Sequence, residues 1–144
     1  MTQEERNLAY SWFEEVWNKG RRDAIPELMA RDAVLHEGGA DSVGPDGFYP
    51  FFDRFHAALS EIHVTVHDTV AEGDRICTRW SFTGKHTGSG LGIPPTGKTV
   101  HVTGMGIIRV AGGKLVEGWQ NWDMLGMLNQ IQDAAKPRTY VAVA

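Results

Sequence analysis

The chain has 144 residues, a length that suits one domain around one core. A net charge of −4 argues against a nucleic-acid or anionic-membrane partner, and no apolar run has the length of a membrane span. Cys77 stands alone, which excludes an internal disulfide and a cysteine zinc cluster; with the polar, acidic opening MTQEERNLAY, unlike a signal peptide, it suggests a cytoplasmic protein.

Thr2-x-x-Glu5 is a capping box, and Leu8, Ala9, Trp12, Phe13, Val16 and Trp17 follow at helical spacing. The spacing predicts a first helix that Gly20 ends. Asp23 is placed to cap a short second helix through Met29, and Ala33 to His36 reads as a short strand. Gly44-Pro45-Asp46-Gly47 reads as a turn, after which Phe48, Phe51, Phe52, Phe55 and Leu59 mark a third helix with an aromatic stripe.

After Ser60 the apolar period becomes two. Ile62, Val64 and Val66 alternate with His63, Thr65 and His67, and Glu72-Gly73-Asp74 turns the chain. Ile76, Thr78, Trp80 and Phe82 then alternate with Arg75, Cys77, Arg79 and Ser81; Cys77 reads as a buried, inert thiol in this run. A glycine-rich connection leads to a strand from Thr99 to Val110, a tight hairpin at Gly112-Gly113 and a last long strand from Lys114 to Trp122. Met124, Leu125, Met127, Leu128 and Ile131 suggest a short closing helix. Residues 1–136 form a single domain in this reading, and 137–144 a tail that is disordered or adds a strand through TYVAVA. Helices followed by an antiparallel meander give an α+β class, with a curved sheet and helices against one face.

Gly92 to Thr99, GIPPTGKT, matches the spelling of a phosphate-binding loop. Such a loop needs backbone N–H groups around the phosphates and a helix after it. Pro94 and Pro95 remove two donors, and the following TVHVTGMGIIRV is a poor helix. No nucleotide is expected, and Lys98 is expected to be solvated.

The same segment points elsewhere. Gly84-x-His86-x-Gly88 and Gly92-Ile93-Pro94-Pro95-Thr96-Gly97-Lys98 occur with Trp17-Asn18-x-Gly20 and Arg109-Val110-x-x-Gly113-Lys114. Glu117-x-Trp119-x-x-x-Asp123-x-Leu125-Gly126-x-Leu128-x-Gln130 completes a set that resembles the SnoaL-like polyketide cyclase (ester cyclase) family over nearly the whole chain. The resemblance implies a nuclear-transport-factor-2-like (cystatin-like) cone, its curved antiparallel sheet wrapped around N-terminal helices and an apolar cavity. It also implies catalysis without a metal or organic cofactor, and a homodimer. The best-known members close a polyketide ring by aldol condensation.

The chain departs from those cyclases at their chemistry. The family's D-W-P-D run, with its acid–base Asp, falls on Gln120-Asn121-Trp122-Asp123, so Gln120 stands where the Asp would. A glutamine does not exchange a proton at neutral pH. The family's Gln and His on the preceding strand fall on Gly104 and Gly106. These positions share the parity of Val102, Ile108 and Val116, and the earlier strands put Val64, Val66, Ile76, Trp80 and Phe82 on the same face. That face reads as a cavity lining, with space above the two glycines for a ligand.

Asp123 is either an N-cap or a general base at the cavity rim. His36 is a proton shuttle or a histidine satisfied by a carbonyl. His86 contacts ligand at the cavity mouth or ties down its own loop. Gln120 orients a substrate carbonyl or pairs with a neighbouring element. Trp80, Trp122, Tyr49 and Phe52 are candidate apolar contacts, with core packing as the alternative. His63, His67 and His101 have the outward parity and lack an HExxH or accompanying carboxylate pattern, so no metal is expected. Arg79 and Arg109 read as surface or interface charges.

Two functions fit. One is a cofactor-independent enzyme that moves a proton on a small apolar carbonyl compound, in a cyclisation, isomerisation or lyase step. Asp123 or His36 would move the proton, and Gln120 would hold the oxyanion. The other is a small-molecule binding protein without turnover, motivated by Gln120 at the Asp position. A purely structural dimer with a filled cavity is a third possibility.

Overall fold

A computed structural model describes residues 1–37 and 39–132 of the chain. The tail expected from residue 137 lies outside these residues.

The Thr2 hydroxyl accepts from Glu5 N at 3.1 Å and Glu5 returns the bond to Thr2 N at 2.9 Å, so the capping box forms. The single first helix is replaced by three pieces: α1 (Gln3–Arg6), α2 (Leu8–Ser11) and a π-helical segment, Trp12–Asn18. The wider winding changes which side chains share a face, and Trp12, Phe13 and Val16 are all buried. Asn18 then ties the segment to the sheet: its carboxamide donates to Val64 O at 3.1 Å and accepts from Val64 N at 2.6 Å. This gives the Trp17-Asn18-x-Gly20 motif a structural role.

α3 (Ala24–Leu28) is short, and Asp23 makes no capping bond; it lies 3.5 Å from Arg21 Nε instead. β1 (Met29–Glu37) begins four residues earlier than the sequence suggested and ends one later. β2 (Ala40–Val43) was not foreseen; it returns as an antiparallel hairpin on β1. Gly44 to Gly47 is not a free turn but the first turn of α4 (Gly44–Ala58), with Pro45 in the first helical turn, where no N–H is needed. A side chain at Gly44 would strike the Arg31 carbonyl, and its φ is +64°, so glycine is required for the sharp entry.

The remaining strands are β3 (Leu59–Glu72), β4 (Arg75–His86), β5 (Thr99–Ala111) and β6 (Lys114–Trp122), followed by α5 (Met124–Gln132). The six strands are ordered β2-β1-β6-β5-β4-β3. Only β1 and β6 run parallel, which is what a strand placed before the helices needs to join the end of the meander. The α+β class and the curved sheet covered by helices are thus as expected.

One face of the sheet buries Val64, Ile76, Trp80, Phe82, Val102 and Ile108 against the π-segment and α4. Simple parity fails at bulges. Val116 is the extra residue in a shift between β5 and β6, so Leu115 takes the inward place and Val116 is only half-buried. Cys77 is half-buried with outward parity rather than buried, because its partner Ile107 also faces out.

The GIPPTGKT stretch connects β4 to β5, and a strand follows it. Lys98 is not free in solvent: its Nζ donates to Ile131 O at 3.0 Å near the end of α5. Gln130 holds the same helix to β5, bonding both His101 N (2.8 Å) and His101 O (2.9 Å).

Among the described residues, no helix is long and apolar enough to cross a membrane.

Candidate functional site

The π-segment, α4 and the inward sheet face surround a cavity that opens to solvent at its mouth. Trp12, Phe13 and Trp17 come from the π-segment, Phe48, Phe51 and Phe55 from α4, and Trp80, Phe82 and Trp122 from the sheet. The rings brace one another at angles suited to their quadrupoles: Trp12 on Phe48 at 5.2 Å, Phe55 on Trp122 at 5.4 Å and Phe13 on Trp80 at 5.7 Å. The aromatic wall, broken by few polar groups, suits an apolar organic molecule.

Two polar side chains break this wall, Glu37 and Gln120. Glu37 is the last residue of β1 and Gln120 lies directly opposite it on β6. Burial alone pushes the Glu37 carboxyl up to about 7, because the apolar surroundings oppose its charge. Among the described residues, no Lys, Arg or His lines the cavity to offset that effect. A carboxyl near neutrality can both take and return a proton at physiological pH.

Gln120 is held by two neighbours. Its Oε1 accepts from Trp80 Nε1 at 3.2 Å, and among the described residues its Nε2 has no hydrogen-bond partner. A side chain at Gly106 would collide with the Gln120 carboxamide, and one at Gly104 with the Trp80 ring. The two glycines do face inward, but the room they leave is filled by Gln120 and Trp80, not kept for a ligand. The expectation of ligand space above them is corrected accordingly.

Val64, Phe82 and Ile108 line the cavity as the strand parity predicts, and of the candidate site residues Trp80 and Trp122 do so with Gln120, whereas His36, Asp123, His86, Tyr49 and Phe52 do not. His36 sits on the opposite face of β1, between Asp41 and Glu117. Asp123 is exposed at the start of α5, where its Oδ1 accepts from Gly126 N at 2.9 Å. It is a helix cap.

His86 is buried away from the cavity. Its Nδ1 accepts from Thr96 N at 3.2 Å, and its backbone bonds Lys98 O and Gly97 N, so it organises the loop. Phe52 is buried between Trp17 and His56, behind the lining. Tyr49 lies under the Arg22 guanidinium, 3.9 Å from its ring centre. His63, His67 and His101 are exposed, and no group of three metal-ligating side chains comes together among the described residues.

Sequence reasoning missed Glu37. The signal was present: Ala33, Leu35 and Glu37 alternate onto one face. Ending the strand at His36, before two glycines, hid it.

Solved structures share this architecture. IdmH from Streptomyces antibioticus, provisionally assigned as a polyketide cyclase, is 29% identical, with 90% of this chain and 98% of that chain covered and a TM-score of 0.76. A protein from Jannaschia sp. CCS1, provisionally assigned as a SnoaL-like polyketide cyclase, is 25% identical over 93% and 94% of the two chains, with a TM-score of 0.80. A protein with a ketosteroid isomerase-like fold from Catenulispora acidiphila is 19% identical over 86% and 91%, with a TM-score of 0.72, and shows the fold alone. No curated protein matches the chain significantly. The family model described as SnoaL-like polyketide cyclase matches residues 7–131, and with the cone-like cavity in place this chain belongs to that family.

Proposed function

We propose that the protein is a cofactor-independent enzyme that moves a proton on a small apolar carbonyl compound, with Glu37 as the acid–base group. Glu37 replaces Asp123 and His36 in that role, because those two side chains lie outside the cavity. The observation that carries the reading is a lone carboxyl, tuned to about 7 by burial, in an aromatic cavity and in register with a carboxamide. As a base, Glu37 takes a proton from the carbon next to the carbonyl. The Gln120 Nε2 donates to the oxygen as negative charge builds there, and the aromatic wall excludes water that would weaken both effects. The proton returns from Glu37 to complete a ring closure, isomerisation or lyase step.

The test is solvent-deuterium incorporation into a panel of neutral enolisable ketones, followed by NMR. Exchange that the wild type catalyses and Glu37→Gln slows by about 10²-fold or more supports the reading. A panel that quenches tryptophan fluorescence on binding but exchanges nothing favours a binding protein instead. Gln120 at the family's Asp position is the observation behind that alternative.

We also propose a homodimer through the outer sheet face. Met105 is 53% and Ile107 36% exposed there, next to each other's side of the same strand.

A further inference from the structure

We propose that His36 is a positioning residue that sets the place of Glu37 from the opposite face of β1. The inference deepens the reading of Glu37 as the proton-transfer group and rests on it for its functional meaning.

Neighbouring side chains on a strand point to opposite faces, so His36 faces out where Glu37 faces in. The His36 ring bridges two strands. Nδ1 lies 2.7 Å from Asp41 Oδ1 on β2, and Nε2 lies 2.8 Å from Glu117 Oε2 on β6. Ionised carboxylates only accept, so both contacts are hydrogen bonds at once only when both ring nitrogens donate, that is, in the imidazolium form. Glu117 first and Asp41 second hold its pKa above the ordinary histidine value.

The surroundings fix the ring further. It stacks on Trp119 at 5.2 Å and 20°, and the Arg75 guanidinium sits 5.3 Å from the centre of the Trp119 ring. Arg109 on β5 approaches Glu117 at 3.3 Å and Asp74 at 3.9 Å, so the second carboxylate is itself held.

These are the strands that Glu37 depends on. Its register partners are Ala40 on β2, next to Asp41, and Gln120 on β6, three residues after Glu117. Glu37 is the last residue of β1, and Gly39, close behind it, already turns with φ +82°. Among the described residues, the imidazolium clamp is therefore the last side-chain tie before the strand ends. A neutral ring can donate only one of the two bonds, so losing the proton, or the ring, frees the strand end and lets water reach Glu37.

The experiment follows the Glu37 side-chain carboxyl by ¹³C NMR across pH in the full chain, with Glu37→Gln identifying the signal. Amide hydrogen exchange is read on the same samples. In the wild type the signal titrates near neutrality and shows a second, smaller inflection at the pH where the His36 ring signals titrate. In His36→Gln the second inflection disappears and the main midpoint falls by half a pH unit or more. Exchange at Glu37 and Gln120 rises about tenfold while Ile76 and Trp80 are unchanged. Glu117→Gln, which keeps the ring, shifts the midpoint in the same direction by a smaller amount and covers the case in which His36→Gln fails to fold.

An unmoved midpoint in the folded variants overturns the proposal. So does a uniform rise in exchange with the midpoint unmoved, which marks a merely structural histidine. The measurement needs no substrate, so its failure is separate from a failure of Glu37→Gln to slow catalysis.

Discussion

Trp80 Nε1 donates to Gln120 Oε1 across 3.2 Å, and this bond sets which end of the carboxamide is left for the cavity. Gly106 lies under the same carboxamide and has no room for a side chain. Gly106→Ala is expected to push Gln120 out of place, at a cost of about 1–3 kcal/mol in stability from overpacking. Turnover of an identified substrate should fall by tenfold or more. Trp80→Phe should lower turnover by releasing the Gln120 carboxamide, with a stability loss of its own because the smaller ring leaves a cavity above Gly104. Thermal unfolding alongside kinetics separates the two variants.

Burial of Glu37 has a stability signature. Its folded pKa, about 7, lies above the value of an exposed glutamate, 4.5. Between these values the native state holds more protons than the unfolded chain, so stability falls as pH rises through the window. Glu37→Gln removes that penalty. The variant should be more stable than wild type by about 2 kcal/mol at pH 8, after allowing for partial exposure, and indistinguishable from it on this account below pH 4.5. Urea unfolding at several pH values measures the difference. The doubly paired His36 contributes with the same slope: its stabilisation is complete below the unfolded histidine pKa and is lost as pH rises through its raised folded value.

Asp123 caps α5 through Gly126 N. Asp123→Ala should cost about 1 kcal/mol of stability and leave turnover within twofold of wild type. A loss of turnover of a hundredfold or more without unfolding would return Asp123 to the catalytic role the sequence suggested. Asp123→Asn, which keeps a capping oxygen, should lose less stability than the alanine variant.

Glu61 has φ +54°, the single positive value among the described residues other than glycine. It lies in a bulge where the register of β3 against β4 shifts between Ser60 and His63. Glu61→Gly should relieve the left-handed strain and raise stability by about 1 kcal/mol. The bulge positions Ile62, which lines the cavity. A loss of stability would show instead that the glutamate side chain contributes more than its backbone costs.

If the outer sheet face is the dimer interface, Met105→Glu places a charge in it and should shift the protein toward monomer in sedimentation equilibrium. A monomeric wild type, or a variant that still dimerises fully, would remove the dimer from the account. The cavity residues face the other side of the sheet, so the fold itself should survive the change.

Local chemistry in the sequence was enough for much of the molecule. The capping box at Thr2, the aromatic stripe of α4 and the period-two strands each depend on near neighbours, and each formed. Gln120 and Trp122 could be placed inward because alternation is a local rule. The rule stopped at bulges, where one extra residue reverses every side chain after it; Val116 and Leu115 are the example. The π-helical winding of Trp12–Asn18 was hidden for a related reason. The segment's end is tied by Asn18 to a strand 46 residues away, a contact that no local spacing records.

The sequence by itself determined an α+β chain with an apolar inward face, because burial patterns follow the repeat of each element. Only the tertiary structure decided which polar groups share that face. Joining β1 to β6 in parallel brings Glu37 beside Gln120 and leaves His36 and Asp123 outside. The pairing of strands more than 80 residues apart, and the low-dielectric enclosure it creates, is what turns an ordinary glutamate into a group that titrates near neutrality.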